Sequence, residues 1–302
     1  MSTPSPTQRE TEPVFAPPRP TAEIAAVRVA GGSLSGDLRA ISVVWQRELI
    51  RFARNRLRIV TSLAQPVLFL FVLGTGLSTL TRRDVGFDFR TFMFPGVIGM
   101  TVLFTAVFSA VSIVWDREFG FLREILIAPV RRSSIILGKA LGGATVATLQ
   151  GVIMLALAGF VHVPYNPLLL LTLVGEMALT AFMITALGLM LASRITEVQS
   201  FQVVIQFFVM PMFFLSGAMF PLSGLPGWLT WLTKVDPLSY AVDPMRRAVF
   251  AHTHAPAVVQ RLMNPGVTWG SWRLPVWFEL VLLIALALAM MGVAVWQFAR
   301  SE

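Results

Sequence analysis

Cysteine is absent from this chain, and charge is scarce: only 13% of its 302 residues are Asp, Glu, Lys or Arg. Without thiols there are no disulfide frameworks, thiolate metal sites or cysteine nucleophiles to consider. So little charge, set against 55% hydrophobic residues and a mean hydropathy of +0.72, excludes a water-soluble domain in favour of a membrane protein. Lysine is nearly missing too. Lys139 and Lys234 are the only two among 24 basic residues, a usage that suits a GC-rich bacterial genome. The formal net charge of +8 is explained by arginines retained on the cytoplasmic side of a membrane. Nucleic acid is not expected as a partner, because apolar spans leave little surface for a phosphate-tracking groove.

Residues 1–36 hold prolines at 4, 6, 13, 17, 18 and 20 with no sustained apolar run, which predicts a disordered, proline-rich cytoplasmic tail without the h-region of a cleavable signal peptide. Six later stretches reach the length of about 20 apolar residues needed to cross a hydrocarbon core as helix. They lie near 59–80, 92–115, 136–161, 168–193, 199–221 and 277–298. The expected fold is therefore an all-α membrane protein, with residues 59–302 as a six-span domain. The apolar runs are too long for a β-barrel. Placing both termini in the cytoplasm puts 16 Lys and Arg inside and 8 outside, so the positive-inside rule supports that orientation in a bacterial inner membrane.

Two flanking segments have their own pattern. In 37–58, Leu38, Ile41, Trp45, Leu49 and Phe52 recur at steps of three and four while arginines fill much of the remaining circumference, which predicts an amphipathic helix in the inner headgroup region. Either it only anchors, or it also touches a cytoplasmic partner. Between the fifth and sixth spans, FPLSGLPGWLTWLTKVDPLSYAVDPMRRAVF alternates prolines with apolar runs, as short helices half inserted from the outer face would.

The most charged short run is DREFGFLREILIAPVRRSSIILGK, residues 116–139. Residues 117–127 fit about three helical turns, with Phe119, Leu122, Ile125 and Leu126 on one apolar face and Arg117, Glu118, Arg123 and Glu124 around it, before Pro129 ends the helix. A water-bathed loop gains nothing by showing these apolar side chains, so a protein groove or lipid headgroups must cover them. Gly138-Lys139 is no phosphate loop: Ser133 stands where a glycine is needed and Ala140 where a hydroxyl is needed. Gly138, Gly142 and Gly143 are read instead as sites of close helix approach, with the Lys139 stem snorkelling to the interface.

This run resembles the cytoplasmic signature of type-2 ABC transporter permeases, the group that includes daunorubicin-resistance-type drug exporters. FFLSGAMFPLSGLPGWL at 213 and VDPLSYAVDPMRRAVF at 235 are similar to the family's outer re-entrant hairpin and its aspartate-proline motif. The resemblance covers roughly residues 40–300 and implies a permease subunit, not an enzyme. It would pair with a second permease copy and two separate ABC ATPase subunits that hold the ATP and Mg, this chain binding no cofactor itself. It also implies that Arg117, Glu118, Phe119, Gly120, Phe121, Leu122, Arg123, Glu124 and Pro129 form a coupling helix seated in the ATPase. Phe121 departs from the small or polar residue more usual there, which marks a subgroup.

The candidate substrate pathway is polar. Gln199, Gln202 and Gln206 share one face of the fifth span, continued by Phe213, and such a face seeks either another helix or a wet cavity. Glu176, deep in the fourth span, is either functional or paired with a neighbour such as Gln150. Gln65-Pro66 supplies a polar kink in the first span. His252 and His254 lack a third ligand, so no metal site is expected. The expected function is ATP-driven export of a drug, lipid or glycoconjugate. The alternative, a self-sufficient secondary transporter or channel, calls for more intramembrane ionisable groups than Glu176.

Overall fold

The computed structural model describes residues 34–85, 88–120, 131–253, 256–270 and 272–300. The fold is all-α: six helices are long and apolar enough to cross a membrane, and among the described residues the only strands are a two-residue antiparallel pair, β1 (Thr268–Trp269) and β2 (Trp272–Arg273). Helix α1 (Leu34–Arg54) precedes the first span, which is built from α2 (Arg56–Leu68), a wide π turn (Phe69–Leu73) and α3 (Gly74–Val85). The later spans are α4 (Phe89–Glu118), α5 (Arg132–Leu155), α6 (Pro167–Ala192), α7 (Val198–Leu215) and, at the end, α11 (Val276–Arg300). Between α7 and α11 lie the short helices α8 (Gly227–Val235), α9 (Ser239–Ala251) and α10 (Ala257–Met263).

Polar caps set the boundaries. Asn55 breaks the chain between α1 and α2, and its side chain accepts the Arg58 amide at 3.1 Å, satisfying an orphan donor of the new helix. Asp88 does the same for Arg90 at 3.0 Å, and Asn166 for Leu168 at 2.9 Å with Pro167 in the first turn. The fifth span stops at Leu215, short of 221, because Gly217 turns the chain at φ +70°. The third span stops at Leu155 and gives way to a 3-10 turn at Ala158–Val161. Proline 66 has no amide donor, and the ladder widens immediately after it into the π turn.

Helix α4 is the axis of the bundle. It is buried over most of its length, with Phe92, Phe94, Met100 and Ile113 fully enclosed, and it packs against α5 and α6. By contrast α2, α7 and α11 are buried over only a minority of their apolar windows and turn broad hydrophobic faces outward. Glycines set the closest approaches: a Cβ on Gly96 would lie 2.5 Å from the Ala218 Cα, so the backbone after α7 lies directly against α4.

Helix α1 is present, and of its apolar row Ile41 and Trp45 lie against α5 and Phe52 lines an internal cavity, while Leu38 is exposed. The helix lies along α5, where a Cβ on Gly138 would meet the Val44 Cβ at 2.8 Å and one on Gly142 the Glu48 Cβ at 2.7 Å. The small-residue row of α5 thus receives α1. Leu34, Leu38, Val43 and Ile50 remain exposed, while Asp37 and Glu48 are buried. The reason is charge pairing across the joint.

Candidate functional site

Four elements meet at the end of the bundle where α4 finishes. Lys139, near the start of α5, is only 2% exposed. Its ammonium donates to Asp116 Oδ2 at 2.7 Å and to Ser112 Oγ at 2.9 Å, both on α4, and lies 3.6 Å from Glu48 Oε1 on α1. Arg47 adds a second cation, donating to Asp116 Oδ2 at 3.1 Å. Farther along, Asp37 accepts from Ser134 Oγ at 3.1 Å and pairs with Arg131 at 3.3 Å, while Trp45 Nε1 donates to Thr145 Oγ1 at 3.1 Å. Buried carboxylates are tolerated because each faces a cation: Asp37 and Asp116 also accept hydrogen bonds, while Glu48 is held by ion pairs alone. The snorkelling expected of Lys139 is therefore corrected: two counter-charges hold it inside the protein.

The same end of α4 grips the connection between α6 and α7. Arg117 Nη1 donates to the carbonyls of Ser193 at 3.0 Å and Ile195 at 3.1 Å. The Val198 amide, first in α7, donates to Glu118 Oε2 at 2.8 Å, and a carboxylate there also suits the positive end of the helix dipole. The single rod expected over 117–127 does not begin at Arg117. Helix α4 runs through Glu118 and ends at exposed Phe119, and Gly120 adopts φ +77°, a conformation that breaks the helix and costs glycine little. Phe121, Leu122, Arg123, Glu124 and Pro129 lie outside the described residues.

Beside the charged joint is an open-sided cavity of about 630 Å³ lined by α1, α2, α4, α5 and α7. Its polar lining includes Arg51, Asn55, Arg58, Thr61, Ser62 and Gln65, and its apolar lining includes Phe52, Phe104, Phe108 and Trp115. Gln202 of α7 completes the wall. Of the pathway residues expected from sequence, the cavity brings together Gln65 and Gln202. Gln199 and Gln206 are exposed on the same side of α7, whereas Phe213 is buried and makes an edge contact with Phe69, their ring centroids 6.1 Å apart.

Glu176 sits elsewhere. It is buried on α6, within electrostatic reach of Asp243, and one of its carboxylate oxygens has no hydrogen-bond partner. Gln150, considered as its partner, donates to Ser62 Oγ at 2.7 Å and to the Ile59 carbonyl at 3.0 Å. The aspartate-proline motifs hold the outer segment together. Asp236 caps α9, accepting from the Leu238 amide at 3.2 Å and the Ser239 hydroxyl at 3.0 Å. Burial pushes Asp236 up to about 7 against these hydrogen bonds. Asp243 accepts from Arg247 and from the Val267 amide at 3.0 Å. Arg247 reaches Glu279 of α11 at 3.3 Å, and Arg246 donates to the Gly217 carbonyl while lying 4.4 Å over the Phe92 ring. Among the described residues no group of three His, Cys, Asp or Glu could hold a metal ion. His254 lies outside them.

Sequence reading missed Asp116, Ser112, Glu48, Arg51 and Arg58. A carboxylate at 116 and a lysine at 139, both at the ends of apolar runs, were the available signal; the pairing itself spans three separate elements.

Six apolar helices, five of them around the buried α4, with most of their charge near the ends, define a multi-pass helical membrane protein. Comparison with known proteins narrows this class. The family model for the ABC-2 type transporter matches residues 39–250, and the chain belongs to that family. It is 28% identical over 209 residues to nodulation protein J of Rhizobium leguminosarum bv. viciae, covering 67% of this chain and 79% of that one. It is 26% identical over 230 residues to ycf38 of Cyanophora paradoxa, a candidate transport permease, covering 72% and 76%. It is 29% identical over 158 residues to YbhR of Escherichia coli K12, named a probable multidrug ABC transporter permease, covering 52% and 43%. The chain is thus the membrane subunit of an ABC transporter, a class that works with ABC ATPase subunits.

Proposed function

We propose that this chain exports a hydrophobic or amphipathic substrate from the cytoplasm, as one of two permease copies driven by separate ATPase subunits carrying ATP and Mg. Both termini are cytoplasmic in this reading. The observation that carries it is the grip of α4 on α7: Arg117 and Glu118, at the base of the charged stretch, hold the Ser193–Val198 connection. A partner that displaces the stretch after Glu118 moves the glutamine-bearing helix with it. Because a ligand shifts an equilibrium only by binding its states differently, the ATPase must contact this stretch differently when ATP closes it.

The outward face of α7 supports a second copy. Val203 and Phe207 are 67% and 75% exposed, which suits lipid, but Gln199, Gln202 and Gln206 beside them do not. Side-chain amides at membrane depth need partners, and a facing α7 supplies them. The cavity, with its arginines, amides and aromatic rings, fits an amphipathic cargo better than a small ion. The relatives' names span nodulation and multidrug permeases and do not by themselves choose a cargo.

Reconstitution tests the reading. Vesicles holding the chain with a partner ATPase accumulate cargo only with ATP, and vesicles holding the chain alone do not. Uphill transport by the chain alone refutes the proposal.

A further inference from the structure

We propose that the cavity between α1, α2 and α4 binds the acidic headgroup of an anionic amphiphile, with Arg51 and Arg58 as the headgroup ligands and Phe104, Phe108 and Trp115 as the wall for its apolar part. This rests on the export reading above and names the substrate class of the same site.

Charge is out of balance at the cavity. Arg47, Arg51, Arg58 and Lys139 gather around it, but only two carboxylates, Glu48 and Asp116, answer them. Those carboxylates are committed to Lys139 and Arg47 at 2.7 to 3.6 Å. Arg51 reaches Glu48 only at 4.0 Å. The one hydrogen bond of the Arg58 guanidinium among the described residues goes to the Phe108 carbonyl at 3.2 Å, although Arg58 stands in the first membrane span. Arg58 lies in the first turn of that span, at its edge, where its fork is free to take a phosphate, sulfate or carboxylate. Thr105 gives a second, independent sign. It lines the cavity, is 8% exposed, and its hydroxyl has no hydrogen-bond partner. A polar atom left so is satisfied when a ligand with acceptor or donor groups fills the space. The α4 side of the wall carries Phe104, Phe108 and Trp115, which suit an alkyl chain or ring, so neither a free inorganic anion nor a neutral hydrocarbon matches both halves.

The test is equilibrium binding to the full chain in phosphatidylcholine nanodiscs, with Trp115 as reporter and Trp115→Phe as the blank. Dodecyl phosphate, dodecylphosphocholine and inorganic phosphate are compared. Dodecyl phosphate is expected to bind saturably and about tenfold more tightly than dodecylphosphocholine, with inorganic phosphate failing to displace it. The Arg51→Gln, Arg58→Gln double variant is expected to lose that preference while still binding dodecylphosphocholine, which also reports that it has folded. Equal binding of the two amphiphiles by the unaltered chain, displacement by inorganic phosphate, or a preference that survives in the double variant overturns the proposal. No ATPase enters this measurement, so its failure is distinct from failure of ATP-driven transport.

Discussion

Replacing Lys139 by methionine keeps the length of the side chain but removes the cation from a joint of three helices. Glu48 and Asp116, whose side chains are each 6% exposed, then face one another across the site with Arg47 as their nearest counter-charge. Arg47 is 40% exposed and reaches them at 3.6 and 3.1 Å, so it offsets part of the loss. Breaking a buried pair by removing one partner costs about 3–5 kcal/mol, and the surviving arginine places this change near the lower end. At about 2–4 °C per kcal/mol for a chain of this size, the thermal transition falls by roughly 6–12 °C. The assay is tryptophan fluorescence during heating in detergent. Adding Asp116→Asn to Lys139→Met removes a stranded carboxylate and is expected to recover part of the loss, the coupling that a double-mutant cycle isolates. A single variant as stable as the parent, or a double variant showing plain additivity, refutes the view that this ion cluster fastens α1 to the bundle.

Gly142→Leu tests the same seam sterically: even its Cβ would lie 2.7 Å from the Glu48 Cβ, so α1 must lift, and a loss of about 1–3 kcal/mol is expected as increased protease cleavage near Asn55. Glu118→Ala removes the cap from α7 at a cost of about 1 kcal/mol; ATP-driven transport by the reconstituted complex should fall far more than its thermal stability, and equal losses would reduce Glu118 to a structural cap. Asp236 makes the outer segment pH-sensitive. Its folded value, about 7, lies above the ordinary carboxylate range, so the stability from the bound proton is complete below that range and is lost as pH rises through about 7. Proteolysis of the segment should therefore accelerate between pH 5 and 8 (about the span over which the group titrates), and Asp236→Asn should flatten the profile.

Long apolar runs made the helical class and the spans readable, because hydrocarbon demands length and internal backbone bonding whatever the neighbours are. The glycines at 138, 142 and 143 were legible as close approaches, and each has its neighbour: α1 for the first two, Ser109 and Thr185 for the third. The joint was not legible. A lysine at the head of an apolar run looks the same whether it reaches water or a carboxylate 23 positions earlier, and only the packed fold distinguishes these. Likewise the glutamines at 65 and 202 are far apart in sequence, and only the packing of α2 beside α4 and α7 brings them to one cavity. Glu118 was seen as a contact for a partner, whereas its carboxylate is already engaged with the Val198 amide.

The wide turn at Phe69–Leu73 divides the first span into two unequal surfaces. One inserted residue rotates everything downstream by about 100° relative to an unbroken helix, so the row begun by Ser62 and Gln65 does not continue toward the far leaflet. Leu68, just before the turn, and Val72 and Leu73, within it, present hydrocarbon where the row is broken. A polar headgroup drawn along that wall loses its amide company halfway across the bilayer, and must find its next hydration on another helix.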